Sequence, residues 1–536
     1  MSRFNQRRAR PAAGSPVTSV DERTTTHEGG AGHLRDTRSE LFLLAVSNFV
    51  GANAFYEKGD ERDERYRSLV RELAIEDPAW VAGLLKWLRG EGNMRSAALV
   101  GAAEFTAERI VREAPGYSRQ VIDSVLQRAD EPGEFLGYWT GNYGRALPKP
   151  VKRGLADAAR RLYTERSLLK YDTESKGYRF GDVLNLAHPA PAADKPWQGD
   201  LFEHAIDRRK KRGDEIPARL PLLLARQRLM ATPVEQRRHI LGTQPELLRA
   251  AGMTWEALAG WLQGPMDAEA WEAVIPSMGL MALCRNLRNF DEAGVRDAAA
   301  AQAAARIADP REVSRSRMLP FRFWAAYKHA PSLRWAHALE QALGHSLANV
   351  PALPGRTLIL VDRSPSMFPG YGYSTPNASD ITLAEQAAVF GSALAVRAAN
   401  PSLVEFGMSS RLMHVPRGGS VLKLIEKFGR IAGTDIPTAV KQHFDRHDRI
   451  VVVTDEQTRP GWLPSNCADH GGMRETEIDE LVPRTVPVYM WNMAGYRAGA
   501  MPSGGGNRHA MGGLTDQAFR TIPLIEAGRD ATWPWV

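Results

Sequence analysis

The sequence predicts a multidomain protein in which an all-α array of short paired helices is followed by a doubly wound α/β domain. Three observations predict it. From Ser39 to about residue 350, apolar residues recur near i, i+3 and i+4 in successive short segments broken by Gly, Pro or Asp. From Thr357 onward, apolar β-branched runs alternate with helical ones, which demands a mostly parallel sheet covered on both faces. The length of 536 residues also exceeds what one core holds.

Composition narrows the function classes. The net charge of +7 and pI near 9.3 favour an acidic partner such as nucleic acid. Cys284 and Cys467 lie far apart, give neither a disulfide framework nor zinc spacing, and suit a reducing compartment, so the expected location is cytoplasmic. Cys284, in GLMALC, reads as a core residue. No window reaches the roughly 18 apolar residues of a membrane span; WVAGLLKWL is short and carries Lys86, so no membrane partner is expected. The start, MSRFNQRRARPAAGSP, lacks the apolar stretch of a secretory signal, while its arginines leave a transit peptide open.

In chain order, residues 1–38 are polar, with Arg7, Arg8 and Arg10 early and no apolar period, and read as a disordered basic tail. Both a solvated extension and added electrostatic affinity for RNA fit that tail. Residues 39–350 hold the array, beginning with SELFLLAVSNFV, YRSLVRELAIED, PAWVAGLLKWLRG, MRSAALVGAAEFTAERI and SRQVIDSVLQRA. None of these buries its apolar face alone, so antiparallel pairs stacked as a solenoid are expected; without a crisp repeat, the loose HEAT-like class remains.

The middle of the array is cationic. LPKPVKRGLADAARRLY brings Lys149, Lys152 and Arg153, LLKY brings Lys170, and Arg208–Arg212 reads RRKKR. Clustered cations of this kind suit a phosphate-bearing ligand, because each neutralised phosphate releases counterions. Solvated helix faces explain RRKKR equally well, and Asp157, Glu165 and Asp172 are expected to compensate part of the charge. His188, between LNLA and Pro189, suits a capping or core role as well as a nucleic-acid contact. Arg285 and Arg288 sit one turn apart on an otherwise apolar helix, which places them at an edge or a cavity wall. LANVPALPGR is the linker, and residues 355–536 form the α/β domain.

That domain carries the sharpest chemistry. The strand TLILVD ends in Asp362, followed by Ser364 and Ser366: D-x-S-x-S at the carboxyl end of a parallel strand, where open α/β sheets bind ligands. AGTDI adds Thr434 on a loop opening a helix, and RIVVVTD ends a second buried strand in Asp455. Hydroxyls and carboxylates delivered by three loops suit Mg2+, with Mn2+ as alternative, since such ions take oxygen ligands and keep several waters. Ordinary Asx and Ser turns are the competing reading. Arg363, inside the motif, is expected to add positive charge there. No G-x-S-x-G elbow, phosphate-binding GxxxxGK[ST] loop or paired-His metal motif occurs, so no catalytic residue is assigned and an enzyme is not expected.

The Asp362, Ser364, Ser366, Thr434, Asp455 set resembles the metal-ion-dependent adhesion site of von Willebrand factor A domains, a Rossmann-like fold. Together with LLKYDTESKGYRFGDVLNLAHPAP, IPSMGLMALCRNLRNF and LPFRFWAAYKHA, it makes the chain from about Ser39 onward resemble the TROVE-module proteins of the Ro ribonucleoprotein family. The resemblance implies a HEAT-like ring bridged by the von Willebrand A domain. Its outer basic surface would bind small noncoding Y-like RNA, and its central hole would take single-stranded 3′ ends of misfolded RNA. It also implies a monomer, an exoribonuclease as possible tethered partner, and a role in RNA quality control or decay. Lys170, His188 and Arg285 match RNA-contacting or cavity positions of that family. The alternative is a metal-dependent protein adaptor built on an α-solenoid without an RNA ligand.

Overall fold

The computed structural model describes residues 13–47, 52–213, 215–330, 332–348, 350–368, 381–416, 419–464, 473–515 and 519–536. Short helices follow one another through the first two thirds of the chain because the sequence stops and restarts them at defined residues. At Asp77 one helix, Gly59–Glu76, ends with the Asp77 N–H donating to the Leu73 carbonyl (2.9 Å), and the next, Pro78–Gly90, begins. The same residue's carboxylate accepts from Trp80 N (3.2 Å), and Pro78 occupies the first helical position, where its missing N–H is not needed. Leu84, Leu85 and Leu88 are fully buried on one face of that helix while Lys86 is exposed, as the apolar period requires.

The array begins and ends on the α/β domain, which closes it into a ring. At its start, helix Thr37–Ser47 lies so close to the sheet that a Cβ on Gly512 would sit 2.9 Å from Leu43 Cδ2. Arg62 and Arg65 donate to the carbonyls of Ala494 (2.5 Å) and Gly495 (3.0 Å). At its end, helix Ala336–Ser346 offers Glu340, which accepts from Val421 N (2.9 Å) at the start of helix Val421–Ile425. The C-terminal residues add a clasp. Trp533 and Trp535 pack on Phe42 and Trp80, and Gly83 is obligatory there because a Cβ would come within 2.3 Å of Trp535.

The strands are β1 (Ser19–Thr25), β2 (Ala31–Arg35), β3 (Leu353–Asp362), β4 (Ala398–Phe406), β5 (Ser410–Met413), β6 (Arg449–Thr454), β7 (Gly461–Pro464), β8 (Met473–Thr476), β9 (Val488–Asn492) and β10 (Arg508–Gly512). Among the described residues the main sheet runs β10-β9-β6-β3-β4-β5, parallel throughout except for β5, which turns back on β4. Leu358, Leu360, Val404, Ile450 and Val452 fill one face, and Ile359, Val361, Leu403, Val451 and Val453 fill the other. Both faces are therefore apolar, which is why these strands read as continuous hydrophobic runs.

The expectation of a disordered segment through residue 38 is corrected. β1 and β2 form an antiparallel hairpin that docks on the α/β domain: His33 N donates to the Gly499 carbonyl (2.9 Å), and Thr26 Oγ1 donates to the Thr458 carbonyl (2.6 Å). Its stability comes from tertiary pairing, which a search for apolar periodicity does not detect. β10 adds an edge strand to the main sheet, β7 and β8 pair as a small hairpin, and the last helix spans Thr521–Glu526. The first twelve residues, the Pro369–Ser379 loop, Cys467 and His470 lie outside the described residues. Cys284 is buried, and among the described residues no helix is long and apolar enough to cross a membrane.

Candidate metal centre and nucleic-acid interface

β3 and β6 are neighbours in register, Val361 opposite Val453, so the next residues on each, Asp362 and Thr454, emerge side by side. The Thr454 hydroxyl donates to Asp362 Oδ2 (2.6 Å), and Ser364 N donates to Asp362 Oδ1 (2.8 Å). Ser364 and Ser366 bring their Oγ atoms to 3.1 Å of each other. Thr434 reaches the same edge because its loop is pinned on both sides: Ile431 N donates to the Arg363 carbonyl (2.9 Å) and Arg459 N to the Thr434 carbonyl (2.9 Å). Asp362, Ser364, Ser366, Thr434 and Asp455 are thus gathered at the carboxyl end of the sheet, all buried.

The electrostatics fit a cation. Asp455 Oδ1 accepts from Gln457 N (3.0 Å), but its Oδ2 is buried without a hydrogen-bond partner among the described residues. Burial, and then the neighbouring Asp362 charge, push Asp455 up to about 7; Asp362 is raised too, chiefly by burial. Two desolvated carboxylates with an unused oxygen and adjoining hydroxyls are costly by themselves and favourable around a divalent ion. Among the described residues no three of His, Cys, Asp or Glu are grouped so that they could hold a metal ion, so an ion here would depend on hydroxyl donors.

Arg363 adds positive charge that acts on Asp362, as expected, but its guanidinium is held away from the oxygen donors. Its guanidinium donates to the carbonyls of Gly429 (2.6 Å) and Ala384 (2.5 Å) and lies over the rings of Phe368 and Phe428. Sequence reasoning missed the group that holds the loop in place. Glu456, directly after Asp455, takes a left-handed φ of 66°, and its buried carboxylate accepts two bonds from Arg35 on β2 (2.7 and 2.9 Å) and one each from Asn492 Nδ2 (2.8 Å) and Ala500 N (2.9 Å). The hairpin thereby fixes the turn that presents Asp455. The visible signal was an acid doublet after a strand, DE in VVVTDEQ; its partner Arg35 is 421 residues away.

The cations sort by what they pair with. Lys176, Arg179, Arg209 and Arg212 are matched to Glu134, Asp172, Asp182 and Asp207. Lys149, Lys152, Arg153, Arg166, Lys170 and Arg285 have no carboxylate within ion-pair distance among the described residues. The expected compensation by acids does not reach them: Asp157 pairs with Arg119, Asp172 with Arg179, and Glu165 accepts from Leu223 N (2.9 Å). Lys149 and Lys152 sit in the first turn of helix Lys149–Leu162 and Arg153 follows directly, where the helix dipole disfavours cations, so this charge does not serve the helix.

Lys170, on helix Glu165–Tyr171, and Arg285, on helix Leu280–Glu292, line one groove of about 670 Å³ together with Arg166, Trp255 and the exposed Met281. Arg166 was missed; its position four residues before Lys170 on one helix was the available signal. His188 is not among the groove's lining residues. It is the exposed left-handed cap (φ 51°) of helix Phe180–Ala187, which is the capping role. Arg288 pairs with Glu292 at the surface.

Fold and site define the class: a helical-repeat module closed by a doubly wound α/β domain that carries an oxygen cluster at the carboxyl end of its sheet. Residues 213–343 match the TROVE domain family. A solved structure, the RO (RSR) protein of Deinococcus radiodurans, is similar with a TM-score of 0.59 at 18% identity, covering 91% of this chain and 100% of that one. No curated protein matches. The TROVE match is confined to residues 213–343, and over 91% of its length the chain shares the fold of that Ro protein.

Proposed function

We propose that this chain is a noncatalytic RNA-binding protein of a Ro-type ribonucleoprotein. The observation that carries the reading is the groove in which Arg166, Lys170 and Arg285 converge beside Trp255; Glu256 also lines it but forms no ion pair with any of the three. Unpaired cations supply salt-dependent affinity for phosphates, and an aromatic face accepts unstacked bases irrespective of sequence. Single-stranded 3′ ends of misfolded RNA are the ligand of this groove. The exposed cations of helix Lys149–Leu162 suit a small structured Y-like RNA on the outer face, where A-form duplex is read through its backbone. In this reading the protein acts in RNA quality control or decay, as a cytoplasmic monomer that presents substrates to an exoribonuclease.

The oxygen cluster is a second, separate binding surface. Asp362, Ser364, Ser366, Thr434 and Asp455 would hold Mg2+ or Mn2+, and the ion would supply an open position for a carboxylate of a protein partner. The unpartnered Asp455 oxygen favours this adaptor role alongside RNA binding.

The test compares one structured RNA with and without a single-stranded 3′ extension across a salt series. Tighter binding of the tailed form, weakening steeply with salt and impaired by Lys170→Glu or Arg285→Glu, is expected. Absence of binding to either RNA at low salt would leave the metal-dependent adaptor as the function.

A further inference from the structure

Beside the RNA groove lies a second concave site, of about 740 Å³, that the function above does not use. It is lined by His204, Arg208, Lys211, Arg226, Leu169 and Met230, among others. Arg208 and Lys211 belong to the RRKKR run at the end of helix Trp197–Lys210, and Arg226 comes from helix Pro221–Met230. A basic run at a helix C-terminus complements the helix dipole, which accounts for Arg209 and Lys210. It does not account for a third cation reaching the same cavity from a different helix.

Among the described residues the charge here is largely uncompensated. Among the described residues no carboxylate lines the cavity. Asp172 is the nearest acid partner of Arg208, at 3.7 Å from its Nε, and the same carboxylate is held by Arg179 at 2.6 Å. Arg226 donates to the carbonyls of Ala251 (2.8 Å) and Gly252 (2.7 Å), which fix its guanidinium without neutralising it. Lys211 has no ion-pair partner among the described residues. Arg226 is held below the usual arginine range by burial and by the Arg208 charge, the mark of cations confined together. His204 is lowered, first by burial, and contributes little positive charge near neutrality.

The two cavities share a wall. Leu169 faces this one and its neighbour Lys170 the RNA groove; Gly252, whose carbonyl holds Arg226, lines the groove, and a Cβ there would stand 3.6 Å from Leu169 Cδ1. We propose that Arg208, Lys211 and Arg226 form a phosphoryl-binding site adjoining the Lys170 and Arg285 groove. The phosphoryl group is either a phosphodiester of the strand held in that groove or a free phosphate compound; the first source rests on the RNA-binding reading, the second does not.

The experiment uses the full chain, its Lys211→Glu and Arg208→Gln variants, and Lys170→Glu as a groove control. Binding of short and long oligouridylates, of about 4 and about 12 nucleotides, is measured across a salt series, and binding of inorganic pyrophosphate by calorimetry. Lys211 is exposed, so its replacement leaves the fold intact, and circular dichroism checks this. If the strand is the source, Lys211→Glu weakens the long oligomer about tenfold, lowers its log–log salt slope by about 0.7 per lost phosphate contact, and spares the short one. If pyrophosphate binds wild type, is lost in Lys211→Glu and Arg208→Gln, and neither oligomer responds, the site stands with a free phosphate compound as its ligand. Unchanged long-oligomer affinity and slope in both variants, with no pyrophosphate binding, overturns the proposal while a Lys170→Glu defect leaves the RNA function standing. Failure of wild type to bind any oligomer instead removes the RNA function, and the pyrophosphate arm still decides this site.

Discussion

The two candidate sites are built in opposite ways. The oxygen cluster is preassembled by a sheet: two adjacent parallel strands end in acids, and register alone brings Asp362 beside Thr454 and Asp455. The cationic groove is assembled by helices far apart in sequence, with Arg166 and Lys170 on one and Arg285 on another. The first site is buried and negative, so its cost falls on folding unless a cation offsets it. The second is exposed and positive, so its charges stay solvated until a ligand displaces counterions. Perturbing the first should therefore register mainly in stability, and perturbing the second mainly in binding.

The largest expected effect breaks the support of the oxygen cluster. Arg35→Ala leaves Glu456 buried and unpaired, which should cost about 3–5 kcal/mol in denaturant unfolding; a loss below about 1 kcal/mol would mean that the hairpin does not hold this loop. Next, Mg2+ or Mn2+ at about a hundred times its Kd should stabilise the wild type by about 2.7 kcal/mol. Asp362→Ala should abolish that response and leave RNA affinity within about twofold. Simultaneous loss of both in a folded variant would join the two sites functionally and end the contrast.

The converse change, Lys170→Glu or Arg285→Glu, should weaken tailed RNA by about tenfold, roughly 1.4 kcal/mol, with the metal response intact. A melting-temperature change comparable to that of Arg35→Ala would show that these cations are structural.

The last effect, absent at neutral pH, concerns His509, which lies near neither site. It is buried, accepts or donates at 3.0 Å to Ser15 Oγ, and is held down to about 4 by burial. Because its folded-state value lies below the usual one, its contribution to stability is complete above about pH 6.5 and is lost as pH falls through about 4. His509→Gln should remove uptake of about one proton on unfolding in that window. An unchanged acid limb of stability against pH would assign the uptake to other groups.

The positions of the oxygen cluster were readable because each candidate donor sits at a strand or helix end whose apolar run announces it: TLILVD, RIVVVTD, and the GTD loop before helix Ile436–His443. Its support was not, since Arg35 and Glu456 meet only through the docking of a hairpin that carries no apolar period of its own. Arg363 shows the same limit from the other side. It sits inside the motif, yet two carbonyls and two phenyl rings take its guanidinium. In the array, Lys170 and Arg285 could be named as basic positions, but charge alone did not say which cations remain unpaired.

The sequence by itself determined the order of helical array and α/β domain, the apolar strands, and the donors at their ends, because these follow from local periodicity and from residue chemistry at element boundaries. Only the tertiary structure decided which acids neutralise which cations, that Lys170 and Arg285 share one groove while His188 caps a helix, and that both ends of the array rest on the α/β domain. The physical reason is range. Helix and strand patterns act over a few residues, whereas ion pairing and concave surfaces depend on side chains hundreds of residues apart meeting in space.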